Sequence, residues 1–347
     1  MNLEKRISAF AKLGERLNTY LIIVKNNTIP ESTEGEALLH LINTAYQHNG
    51  WFTKQNVLLA LTAISEYLNT EALTRWTLPY NINTINSKKI GVIMAGNLPL
   101  VGFHDFLSVL ISGHRFVGKL SSQDSKLLPF LAQMLISIEP EFGNNIEFSE
   151  RVDTIDAAIA TGSNNSSRYF EYYFGKYPHI IRKNRNSVAV FKGDETTEQF
   201  KALGTDIFQY FGLGCRNVSK LYVPMNYNFV PFFEALESFG DIYNHNKYAN
   251  NYDYNRAIYL MSAEPIFDTS FLLLRECKEL ASPTAVLFYE YYDNIDSLKN
   301  TLEERSEEIQ CVVSSVLPNS IGFGQTQNPQ LNDYADGVDT MKFLLSL

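Results

Sequence analysis

Cysteine is scarce in this chain: three residues in 347, at positions 215, 277 and 311. They are odd in number, far apart, and form no Cys-x-x-Cys pair. That excludes a disulfide framework and a thiolate zinc site, and it points to a reducing compartment. Histidine is sparse too, with six residues and no His-x-His or His-x-x-x-His spacing, so no metal site is expected. No apolar run approaches the ~18 residues that a membrane span requires. The opening Met1-Asn2-Leu3-Glu4-Lys5 lacks the apolar heart of a signal peptide. A cytoplasmic protein with no membrane span is the expectation. Basic charge is also in deficit: 29 Lys and Arg against 38 Asp and Glu give a net charge of −9. The densest basic cluster, Arg182-Lys183-Asn184-Arg185, is too small to offset this, so nucleic acid is not an expected partner. No complete Gly-x-Gly-x-x-Gly fingerprint occurs, which removes the conventional dinucleotide motif.

What is present is a folded, enzyme-sized composition, 45% apolar and 13% aromatic. At ~150 residues per domain, the length suits two domains or one large α/β unit. Residues 1–85 read as helical. Leu3, Ile7, Phe10, Leu13, Leu17, Leu21 and Val24 recur at three- and four-residue steps, and Asn26-Asn27 and Pro30 stop the pattern. Ser32 or Thr33 caps a second helix, and a third begins near Thr53. From Lys88 the rhythm changes to short apolar runs alternating with helices. Strands are expected at Ile90–Met94, Arg115–Lys119, Ile146–Phe148, Ala157–Ala160, Ile180–Ile181, Ser187–Phe191, Leu221–Val223, Ala257–Met261, Ala285–Phe288 and Cys311–Val316. Such alternation predicts mostly parallel sheets, whose ligands lie in loops beyond the carboxyl ends of the strands.

Four loops can carry chemistry. Phe211-Gly212-Leu213-Gly214-Cys215-Arg216-Asn217 leaves a thiol uncrowded beside an arginine, the setting of an activated nucleophile. It also reads as a small buried cysteine after a helix-ending glycine. Ala95-Gly96-Asn97-Leu98-Pro99 follows a strand and projects an amide suited to an oxyanion, or Asn97 simply makes the turn. Thr161-Gly162-Ser163-Asn164 opens a helix whose N–H groups suit a phosphate, or Ser163 is an ordinary cap. Gly322-Phe323-Gly324 is a weak fragment of a fingerprint. Asp333, Asp336 and Asp339 miss calcium-loop spacing and suit turns and caps. The Asn- and Tyr-rich stretch from Tyr243 to Tyr259 reads as a solvated loop, a substrate lid or a subunit contact.

Taken in order, these loops resemble the aldehyde dehydrogenase superfamily. They are more closely similar to its acyl-CoA reductase branch, which includes the fatty-acid reductase component of bacterial bioluminescence. The resemblance runs from about residue 88 to the C-terminus, where Asp333 to Met341 also matches. It implies two packed three-layer α/β/α domains with an N-terminal helical segment: 1–85 helical, 86–186 dinucleotide-binding, and 187–347 catalytic. It implies Cys215 as nucleophile and Asn97 as oxyanion donor. Lys119 would bind the adenosine ribose, Gly162-Ser163 the pyrophosphate, and Glu279 in Glu279-Leu280-Ala281-Ser282-Pro283 the nicotinamide ribose. Two departures add detail. Where hydrolytic members place a general-base Glu, Ile180 to Asn184 has no carboxylate, so water attack on an acyl-enzyme is disfavoured. Three residues after Lys119, where NAD-preferring members often carry Glu, stands Ser122, which admits a 2′-phosphate.

The expectation is NADPH-dependent reduction of a fatty acyl thioester, carried by CoA or an acyl-carrier protein, to the aldehyde. NADH is the second choice of cofactor, and a homo-oligomer is expected by analogy. The alternatives are the oxidative, CoA-acylating direction, acyl transfer without reduction, or a catalytically silent acyl-binding relative. Lys119, Arg182, Lys183 and Arg216 are the basic residues expected to attract the anionic cofactor and substrate.

Overall fold

A computed structural model describes residues 1–26, 28–82 and 86–347. The expected helix stop at Asn27 and the expected boundary at residue 85 lie outside the described residues. The chain forms two compact units, Met1–Lys183 with Gln330–Leu347, and Asn184–Pro329.

The first unit begins with the predicted apolar stripe. Helix α1 (Leu3–Lys25) is capped by Asn2 and buries Ile7, Phe10, Leu13, Leu17, Leu21 and Val24. Helix α2 (Thr33–Thr44) is capped by Ser32, and α3 (Lys54–Tyr67) by Thr53, each side chain accepting from an N–H of the first turn. Gly14 lets α1 approach the end of α3, because a Cβ there would lie 2.1 Å from the Leu68 carbonyl oxygen. A further helix, α4 (Thr70–Thr77), is too short for its spacing to announce it.

Strand β1 (Lys89–Ile93) follows, then α5 (Phe103–Ser112), β2 (Arg115–Lys119), α6 (Leu127–Ile138), β3 (Ile146–Phe148), β4 (Ala157–Thr161), α7 (Asn164–Phe174) and β5 (His179–Arg182). The five strands form a parallel sheet in the order β3-β2-β1-β4-β5. The chain winds one way from β1 to β3 and returns to the other side with β4. That reversal makes the carboxyl ends of β1 and β4 the topological switch point, the position where doubly wound sheets take ligands.

The second unit runs β6 (Asn186–Val190), α8 (Thr197–Phe208), β7 (Val218–Pro224), α9 (Val230–Leu236), α10 (Asn246–Met261), β8 (Ile266–Asp268), β9 (Leu273–Glu276), β10 (Val286–Tyr292), α11 (Ile295–Glu304) and β11 (Ile309–Val313). Its six-stranded sheet has the order β11-β6-β7-β10-β9-β8, parallel except for the antiparallel edge strand β8. The expected strand at Ala257–Met261 is the end of α10 instead. Tyr248, Tyr252, Asn255 and Tyr259 bury one face of that helix. Their spacing is helical, but tyrosine and asparagine replace the aliphatic residues that normally reveal it.

The C-terminal residues belong to the first unit and end in α12 (Thr340–Leu345). Trp76 Nε1 donates to the Tyr334 hydroxyl at 2.8 Å, and Tyr80 donates to Asp339 at 3.0 Å. His104 lies between the Trp76 and Tyr334 rings with Nε2 2.9 Å from the Leu331 carbonyl, and burial lowers its pKa. Asp339 caps α12 and Asp333 accepts from the Gln330 N–H, so both serve turns and caps. No helix among the described residues is long and apolar enough to cross a membrane.

Candidate active site

The first unit gathers its candidates on the carboxyl edge of its sheet. Ile93 pairs with Lys119 in register, so Asn97 leaves β1 beside the end of β2. Asn97, Lys119, Ser122 and Ser163 are all exposed there. The Asn97 loop is held from both sides. Asn49, buried between the N-terminal helices, donates its amide to the Gly96 carbonyl at 3.1 Å. Asp124 accepts from the Leu100 N–H at 2.7 Å. Leu100 takes a left-handed φ of 60° with its side chain buried, a strained conformation that these contacts over-determine. Gly96 is obligatory, since a Cβ would fall 2.4 Å from Ser121 Oγ. Ser163 caps α7, accepting from the Ser166 N–H at 3.2 Å, and Gly162 donates to the Arg182 carbonyl.

The second unit carries Cys215 on an exposed turn just before β7. Upstream, Tyr210, Phe211 and Gly212 take φ of 54°, 60° and 75° in succession, a left-handed turn that non-glycine residues rarely make. Asn217 holds it, donating to the Asp206 carbonyl at 3.0 Å and to the Gln209 carbonyl at 2.9 Å, and accepting from the Gly214 N–H at 2.9 Å. Phe211 packs against His245 of the segment entering α10, with ring centroids 4.3 Å apart and the planes tilted by 31°. Ser187 donates to the Cys215 carbonyl at 2.9 Å.

The Glu279 segment is tied to the start of β7. The carbonyls on either side of Glu279 are held from there: Ser219 Oγ donates to Leu280 at 2.7 Å and Lys220 Nζ to Lys278 at 2.9 Å. Arg305 makes a second bond to the Lys278 carbonyl at 3.0 Å. Lys220 is wholly buried, lies over the Tyr222 ring, and is paired with Glu290; desolvation lowers its pKa and Glu290 opposes that. Cys311 is buried in β11 and Cys277 half-buried beyond β9.

Sequence spacing missed the residues that hold these loops. Lys220 had a usable signal, a charge inside the apolar run Val218 to Val223. Asn217 and Asp124 had none beyond ordinary turn chemistry. One expectation is corrected. Arg182 is not available to attract an anionic ligand: it is 6% exposed, with Nη2 2.8 Å from Asp105 Oδ1 and 3.0 Å from Thr340 Oγ1. Arg216 is half-buried and donates from Nε to the Thr326 carbonyl. Among the described residues no group of three His, Cys, Asp or Glu is placed to hold a metal ion.

Asp124 gives a pH-dependent prediction. Burial raises its pKa from 3.8 to about 6, against the lowering effect of the Leu100 and Leu127 N–H groups. An acid with a raised folded pKa contributes stability below its unfolded pKa that is lost as pH rises through the folded one. Between pH 4.5 and 8, wild type should therefore lose about 2 kcal/mol relative to Asp124→Asn. Urea midpoints of both proteins across that range measure it; parallel curves would show that Asp124 titrates normally.

Compared by sequence, the chain matches no family model and no curated protein. Solved structures do match. Aldehyde dehydrogenase 21 from Physcomitrella patens, in complex with succinate, superposes with a TM-score of 0.69 over 100% of this chain and 84% of its own, at 11% identity. A putative aldehyde dehydrogenase from Burkholderia cenocepacia gives 0.66 over 92% and 76%, at 13% identity. A mutant of aldehyde dehydrogenase C from Pseudomonas syringae, complexed with NAD+ and octanal, gives 0.63 over 90% and 72%, at 11% identity. This is the aldehyde dehydrogenase fold. The two sheets and the helices that flank them make up that fold in this chain.

Proposed function

We propose that this chain is an NADPH-dependent reductase of acyl thioesters, delivered by CoA or an acyl-carrier protein, acting through a thioacyl intermediate on Cys215. The observation that carries the reading is the second unit's loop cluster. An exposed cysteine sits on a turn fixed at its neighbours, and the Glu279 segment is tied by Ser219 and Lys220 to the strand that follows it.

The first unit's sheet edge fits a nicotinamide dinucleotide. The N-terminus of the eleven-residue helix α7 offers N–H groups to a pyrophosphate. Gly162 lets the turn pack closely on α7, since a Cβ would meet the Phe170 ring at 2.8 Å. Lys119 supplies a cation at the end of β2. Between 120 and 124 the single carboxylate, Asp124, is turned inward onto Leu100, and Ser122 is exposed. No exposed carboxylate in that loop opposes a 2′-phosphate, which favours NADPH over NADH.

In this reading the Cys215 thiolate attacks the thioester carbonyl and the Cys215 N–H donates to the oxyanion, while Asn97 is assigned to the same role by the family resemblance alone. Collapse expels the carrier thiolate and leaves the acyl group on Cys215. Ile180 to Asn184 offers no carboxylate to activate water, so the thioacyl group persists. When bound, the reduced dinucleotide supplies a hydride to the acyl carbon. The thiohemiacetal then releases aldehyde, and its C–S bond breaks to return the Cys215 thiolate.

The test is a panel of acyl-CoA chain lengths with NADPH and with NADH, following cofactor oxidation. Acyl-dependent oxidation, faster with NADPH, is expected; turnover only from aldehyde and CoA towards acyl-CoA would reverse the proposed direction. Asn97→Ala should lower kcat by about 10²–10³, the usual loss of one oxyanion donor, with little change in KM. A kcat within about twofold of wild type would remove Asn97 from that role.

A further inference from the structure

We infer that Asp206 is a positioning residue for Cys215, acting through Thr326 and Arg216. The inference rests on Cys215 being the nucleophile. Asp206 lies on α8, wholly buried, and no substrate-facing role accounts for it. Its carboxylate accepts three bonds from one loop: the Gly324 N–H at 2.6 Å, the Thr326 N–H at 3.0 Å and the Thr326 hydroxyl at 2.8 Å. Its main-chain carbonyl accepts from Asn217, the residue that clamps the Cys215 turn. The Thr326 carbonyl in turn accepts from Arg216 Nε, which closes a ring through the residues that follow Cys215.

The ring explains a motif that the mechanism leaves unused. Gly324 takes a left-handed φ of 78° to present its N–H to Asp206, and a Cβ there would meet Ala202 Cβ at 3.0 Å. The ring also needs a carboxylate. Three donors converge on two oxygens, and an amide in the same place would turn its own NH₂ against one of them. Burial disfavours the charged form, and the three donors with the Arg216 charge counter it. The Asp206 side chain therefore fixes where the arginine after Cys215 sits, while its main-chain carbonyl separately anchors Asn217.

Asp206→Asn, Arg216→Gln and the double variant test this by the rate and pH profile of Cys215 alkylation by iodoacetamide, located by mass spectrometry. Each single variant should slow alkylation about tenfold or more at pH 7, move its profile to higher pH, and lower kcat more than it raises KM. The double variant should be no slower than the worse single one, because both break the same ring. A purely structural tie would lower the melting temperature and leave the alkylation profile where it was, which overturns the inference, as would additive losses. Should Asp206→Asn fail to fold, Thr326→Val takes its place in the cycle under the same criteria. Wild-type Cys215 reacting no faster than Cys277 would instead overturn the nucleophile reading beneath it.

Discussion

Cys215→Ala is expected to abolish acyl-thioester reduction, by at least about 10⁴-fold, while NADPH binding is retained. The residues assigned to the dinucleotide, Lys119, Ser122, Gly162 and Ser163, lie in the first unit, apart in sequence from the cysteine turn. A small side chain at 215 leaves the turn intact, since Asn217, Ser187 and the Gly214 N–H hold it through groups other than the thiol. Cys215→Ser should be nearly as inactive, because a hydroxyl lacks the thiolate's nucleophilicity and is a poorer leaving group when the aldehyde departs. Cofactor oxidation in steady state and an NADPH fluorescence titration measure the two halves. Turnover retained in the alanine variant would remove Cys215 from the chemistry; loss of NADPH binding would show that the substitution damaged more than the nucleophile.

Asp105→Ala should destabilise the first unit strongly, by about 3–5 kcal/mol, because it removes the buried carboxylate that both Nη atoms of Arg182 bond. Both side chains are almost completely covered, at 7% exposure each. The pair joins α5, β5 and the C-terminal segment through Thr340, and the Arg182 carbonyl also receives the Gly162 N–H. The loss should thus loosen the turn assigned to the pyrophosphate as well as the fold. Urea denaturation of wild type, Asp105→Ala and the double variant Asp105→Leu/Arg182→Met measures it. The double variant should recover much of the stability, since both members of the buried ion pair are then removed together. Equal stability of wild type and Asp105→Ala would mean that Arg182 reaches water or another acceptor.

The sequence spoke clearly where aliphatic periodicity and capping residues agreed. The stripe from Leu3 to Val24, the caps Ser32 and Thr53, and the strand Arg115–Lys119 all stand where spacing places them. It was silent where polar or aromatic residues fill buried positions, as on α10, whose buried face is tyrosine and asparagine. Arg182 shows a second limit. A basic residue in a polar cluster reads as a ligand for anions until the fold sets Asp105 and Thr340 against it. The candidate loops were legible because glycine, asparagine and serine at strand ends have few uses. The residues that fix them were not, because Asn49, Asp124, Asp206 and Asn217 act across sequence gaps that no local pattern records.

The most direct measurement is the intact mass of the protein after mixing with a long-chain acyl-CoA in the absence of dinucleotide. The account predicts one added acyl group, mapped to Cys215 and absent from Cys215→Ala, that survives for minutes in water and is discharged as aldehyde when NADPH is added. An unmodified protein, or an acyl group carried on any other residue, would contradict it.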